Sequence, residues 1–109
     1  MLEIKLSELT GNGEVRNLSG HERGLAARKK FQLEAADERG EEVLVVVPHE
    51  VYTLTPSFFQ GMFAESVRRA ASREKFLARY RFDADPVVLR QVESGISASL
   101  MRRGSILAA

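Results

Sequence analysis

The chain has 109 residues, and with 44% of them hydrophobic and 28% charged it has the make-up of one soluble globular domain spanning 1–109. Sixteen Lys and Arg against fifteen Asp and Glu leave a net charge of +1, which argues against a non-specific nucleic-acid binder. The absence of cysteine excludes disulfide frameworks, thiolate metal sites and thiol catalysis.

The longest apolar run, Val43 to Pro48, is too short to span a bilayer. Met1 to Lys5 lacks the basic and then apolar pattern of a signal peptide. The expected location is therefore the cytoplasm. No internal repeat is visible.

In chain order, Leu2, Ile4 and Leu6 alternate with Glu3, Lys5 and Ser7, the pattern of a strand with one buried face. Thr10-Gly11-Asn12-Gly13 signals a turn, and Glu14 to Leu18 reads as the returning strand of a hairpin. Ser19 and Glu22 have the spacing of a capping box, opening a helix from about Gly20 to Asp37 that Gly40 terminates. Its apolar face is read as Leu25, Ala26, Ala27, Phe31, Leu33 and Ala35, with Arg28, Lys29 and Lys30 in water.

Glu42 to Val47 is apolar on both faces, as a central parallel strand would be. A second helix begins at Thr55-Pro56-Ser57, with either Thr55 or Ser57 as its N-cap, and runs to about Ser72. Lys75 to Phe82 alternates again and reads as a strand. Asp85 caps a last helix carrying Leu89, Val92, Ile96 and Leu100, with a frayed tail at Gly104 to Ala109. The order β-β-α-β-α-β-α predicts an α/β fold with an approximately four-stranded mixed sheet and three amphipathic helices.

Few constellations suggest chemistry. His21 and His49 are the only histidines, too few for a two-histidine metal site without further ligands. Glu41-Glu42 and Asp83/Asp85 lie at element ends, where solvation or capping explains them. No phosphate-cradling loop or nucleophile elbow occurs. The reading is therefore no enzyme, no cofactor and no metal. Arg68, Arg69, Arg73, Arg79 and Arg81 suggest a nucleic-acid-binding module as an alternative, with a small-ligand-binding protein as another. Thr55 and Ser57 stand out because their hydroxyls lie at a helix N-terminus, where unsatisfied amides and the dipole favour an added phosphate. Phe58 beside them is expected near the surface.

Val43 to Phe63, with Val-Leu-Val-Val-Val, a short loop and Thr-Pro-Ser-Phe-Phe-Gln-Gly-Met-Phe, resembles the STAS-like domains of unknown function, distant relatives of the anti-sigma-factor antagonists. Pro56, Ser57, Phe58 and Phe63 fit that group's S-P-S-F-A-x-E-L-F pattern. Arg23-Gly24-Leu25-Ala26-Ala27-Arg28 looks like its R-x-x-G-x-x-x-R helix. The resemblance implies a STAS-like fold and a bacterial, cytoplasmic, regulatory protein–protein interaction module. It implies a kinase-like ATPase or sigma-regulatory protein as partner, with phosphorylation at Ser57 as the switch; a homo-oligomer is a further expectation. The chain departs from the antagonists' Asp-Ser-Ser-Gly pattern, with Thr55 in place of Asp and Phe58 in place of Gly.

Overall fold

A computed structural model describes the backbone of residues 1–11 and 16–108 and the side chains as far as Met101. Strand β1 (Leu2–Lys5) buries Ile4 and exposes Glu3 and Lys5, as its alternation requires. It runs into a 3-10 turn, Leu6–Leu9, and a short strand β2 (Asn17–Leu18) follows. The predicted hairpin does not form between them. β1 pairs in parallel with β3 (Val43–Val46), and β2 pairs in parallel with β4 (Thr53–Leu54). The 3-10 turn takes the chain out of the sheet, and the β-branched run at β3 satisfies the edge of β1 instead. Asn12 to Val15, where half of the predicted turn falls and the returning strand begins, lie outside the described residues.

The expected long first helix is two helices, α1 (His21–Lys30) and α2 (Leu33–Arg39). Gln32 between them is left-handed, at φ 55° and ψ 46°. The reason is a phase slip. Gly24, Ala27 and Arg28 are buried in α1, a stripe that would continue to Glu34 and Ala35 in an unbroken helix. The residues that must face inward are Leu33, Ala36 and Asp37, and the break rotates them there. Leu25 and Ala26, expected in the core, are exposed, whereas Arg28, expected in water, is buried. The predicted capping box is not made, since Gly20 at φ 94° is the N-cap and no side chain caps the helix. Gly40 closes α2 at φ 64°, the left-handed stop that glycine adopts without strain.

Helix α3 (Pro56–Ala70) is capped by Thr55, not Ser57: the amide of Phe58 donates to Thr55 Oγ1 at 3.3 Å, with Pro56 in the first helical position. It ends two residues before the predicted Ser72, which instead caps a new helix by accepting from the amide of Lys75 at 3.2 Å. Most of the predicted strand Lys75–Phe82 is therefore helix α4 (Arg73–Arg79), leaving β5 (Tyr80–Asp83). Phe76 and Tyr80 misled the reading because a spacing of four fits both a strand face and a helix face. Helix α5 (Pro86–Ala108) carries the backbone through most of the predicted tail, and Ala109 lies outside the described residues.

The architecture is α/β, with five α-helices and two parallel sheets among the described residues, of order β1-β3-β5 and β2-β4. It replaces the single mixed sheet and three helices expected. The same run of strand, short strand, helix, helix occurs twice, once from β1 to α2 and again from β3 to α4. Both crossovers of the larger sheet step the same way, which places their helices on one face. Ile4, Val43, Val45 and Tyr80 point to that face and join Phe59, Met62, Phe63 and Phe76 in one core. Among the described residues no helix is long and apolar enough to cross a membrane.

The helix layer is set by a close crossing of α1 on α3. A Cβ on Gly24 would overlap the carbonyl oxygen of Phe58, and one on Gly61 would overlap that of His21. Both obstacles are backbone and cannot rotate away. Gly61→Ala should therefore destabilise the protein by about 2–3 kcal/mol despite alanine's better helix propensity. Urea unfolding checks this; an unchanged or raised midpoint would show that the helices part freely.

Candidate functional site

Parallel pairing of β2 with β4 brings two helix starts together. The amide of Tyr52 donates to Arg16 O and that of Thr55 to Leu18 O, each at 2.9 Å, so the chain leaves both strands in register. Gly20-His21 and Thr55-Pro56-Ser57 then open α1 and α3 side by side at the carboxyl end of the strands, where open α/β folds place their binding sites.

Thr55 Oγ1 is occupied by the cap and lies 3.3 Å from Ser57 Oγ. Ser57 itself is exposed. Phe58 is only 1% exposed, so the expectation of a surface contact there is corrected. Its backbone lies under Gly24 of α1, and its ring belongs to the core.

Beside the helix start lies a groove of about 420 Å³, lined by Thr53, Thr55, Pro56, Val87, Arg90 and Ser94 among others. Gln91 builds its wall by accepting the amide of Leu54 at 2.7 Å, which docks α5 against β4. Val87 is 48% exposed, and Arg90 is exposed with no ion-pair partner among the described residues. Nearby, Tyr52 is 59% exposed and receives a hydrogen bond from Arg16 Nη1 at 3.3 Å. Sequence reasoning missed Tyr52, Val87 and Arg90. The only signal was a large aromatic in a loop and a cation one turn into a helix.

The histidines do not meet in a metal site. His49 Nδ1 contacts Asp85 Oδ1 at 2.8 Å from an almost fully exposed position, and among the described residues no three His, Asp or Glu side chains gather to hold an ion. Of the candidate arginines, Arg69 and Arg79 line one pocket with Lys75 and Asp37, and four of the five carry ion pairs. Arg79 turns inward to Asp37 at 3.2 Å, Arg73 makes a two-pronged pair with Glu93 at 2.7 Å, Arg69 lies 3.8 Å from Glu34 and Arg81 lies 4.0 Å from Glu42. Arg68 is half-buried.

The strongest polar cluster is one the sequence did not announce. The side chain of Asp37, 1% exposed, accepts from Ser66 Oγ at 2.5 Å, Tyr80 OH at 2.6 Å, Arg28 Nη2 at 3.1 Å and Arg79 Nη2 at 3.2 Å. Arg28 also donates to Ser66 Oγ at 2.8 Å and Met62 O at 3.0 Å. Burial pushes the Asp37 carboxyl up, but the hydrogen bonds from Ser66, Tyr80 and Arg28, with the charge of Arg28, hold it below the usual carboxylate range. Burial, and then the bond to Asp37, push the Tyr80 phenol up. Among the described residues no buried side-chain polar atom lacks a partner. The cluster locks α1, α2, α3 and β5 together. Arg28 was detectable in principle, because it falls in phase with Gly24 and Ala27.

Compared with family models, curated proteins and solved structures, the chain matches none.

Because Asp37 titrates below its unfolded value, its stabilisation is present above the ordinary carboxylate range and is lost as pH falls through the folded value. Asp37→Asn should cost about 3–5 kcal/mol at neutral pH, since it leaves the buried guanidinium of Arg28 and the half-buried one of Arg79 poorly compensated. It should also flatten the acid limb of the stability curve. Tyr80→Phe, the milder variant, should cost about 1–2 kcal/mol. Urea midpoints measured across the acid range check both; an acid limb unchanged in Asp37→Asn would assign it to other carboxylates.

Proposed function

We propose that this chain is a non-enzymatic regulatory module of STAS-like type that binds a protein partner at the start of α3, switched by phosphorylation of Ser57. The observation that carries the reading is the exposed Ser57 hydroxyl in the first turn of a 15-residue helix, beside the groove that holds Arg90. A phosphate there adds about −1.5 to −2 charges at the positive end of the helix dipole. The fold tolerates the group and the surface changes sign locally. Val87, Pro56 and Tyr52 supply apolar contact area around the charge switch. The resemblance of Val43 to Phe63 to STAS-like domains supports the same serine, and it supports a kinase-like ATPase or sigma-regulatory protein as the partner class. Phe58 plays no direct part, being buried.

Chain recovered from its own cells should carry phosphate at Ser57, located by tandem mass spectrometry. Ser57→Asp should release the partner that co-purifies with the unmodified chain, Ser57→Ala should retain it, and neither should lower the melting temperature. Phosphate found only elsewhere, or partner binding indifferent to Ser57→Asp, would overturn the switch.

A further inference from the structure

All-parallel sheets occur almost only with both faces covered. Among the described residues, the β1-β3-β5 sheet has helices over one face only. Its other face presents Glu3 and Lys5 from β1, Leu44 and Val46 from β3, and Arg81 and Asp83 from β5. The strand register aligns them in two rows: Glu3, Leu44 and Arg81, then Lys5, Val46 and Asp83. The four charged residues are exposed. Leu44 and Val46 are half-buried, yet they belong neither to the core cluster nor to the shell packed on it.

The charges read minus then plus along one row, and plus then minus along the next. Such a pattern changes sign on reflection. Laid face to face with a second copy about a two-fold axis in the plane of contact, each charge meets its opposite.

We propose that a second copy of this chain covers the open sheet face, with the two-fold axis running across the strands. Glu3 of each copy then lies over Lys5 of the other, Arg81 over Asp83, and Leu44 over Val46. The contact is isologous, as a two-fold interface must be. An axis along β3 would also oppose the corner charges, but it would set Glu42, which leads into β3, over its own twin. The crossing axis places Glu42 beyond Val46 of the other copy.

The face is small, about 14 Å by 13 Å from strand spacing and rise, so the area buried falls below that of a standard stable interface. The dimer is accordingly weak and concentration-dependent, with its specificity set by the charges.

Sedimentation velocity on the full chain from about 10 μM to about 1 mM tests this, a range set for an interface of this small class. Wild type should pass from monomer to dimer, less readily at high salt. Glu3→Lys and Lys5→Glu should each weaken self-association by about tenfold or more, and an equimolar mixture of the two should restore it. The double variant E3K/K5E should associate like wild type, because under the crossing axis it still opposes unlike charges. The side chains replaced are 51% and 61% exposed, so the folds should be retained, with circular dichroism melts as the check. Wild type monomeric at the highest concentration, association indifferent to the single reversals, or a mixture that fails to restore it would each overturn the proposal.

Discussion

Gly24 and Gly61 allow α1 and α3 to touch backbone to backbone, and several other features depend on that distance. One turn beyond the crossing, Arg28 reaches Ser66 and the carbonyl of Met62 on α3, and then Asp37 on α2. With the helices an ångström or two further apart, those bonds would lengthen beyond useful geometry and a buried guanidinium would lose its partners. At the other end, the same approach seals Phe58 beneath α1 and sets the two helix starts side by side. Close packing and the buried ionic cluster are therefore coupled, and neither would be tolerable alone.

Much of the layout was legible because local signals agreed with the final structure. Glu42 to Val47 read as a central strand from a run of apolar, mostly β-branched residues, Gly40 as a helix stop, and Thr55-Pro56 as a helix start, the last two each resting on one or two residues whose backbone preferences dominate. What was not legible depends on partners distant in sequence. Nothing in Leu2–Lys5 says that it pairs with Val43–Val46 in preference to the segment after the turn. The break at Gln32 has no glycine or proline to mark it, only a shift in the phase of the apolar stripe. Phe76 and Tyr80 fit two periodicities, and the cap at Ser72 decided between them.

The same division holds for the site. The resemblance drew attention to the start of α3, and the exposure of Ser57 there is consistent with a role at the surface. Phe58 is adjacent in sequence but points the other way, because successive helical residues are turned by 100° and α1 lies over it. Arg90 and Val87 come from α5, thirty or more residues away, and no local pattern ties them to Ser57. Asp37, Ser66 and Tyr80 were likewise invisible as a group, since each is an ordinary residue until the helices pack.

The doubled run of strand, short strand, helix and helix also affects how the chain can reach its fold. Among the described residues no strand pairs with its sequence neighbour: Leu2 waits for Val43, and Asn17 for Thr53. A hairpin is therefore not available as an early nucleus, and each lateral pairing must close a long loop before it gains hydrogen bonds. The first half can offer only two unpaired strands and two short helices until the second half arrives. The crossing of α1 on α3 joins the same two halves across a loop of similar length, so helix layer and sheet must close together once the second half is within reach.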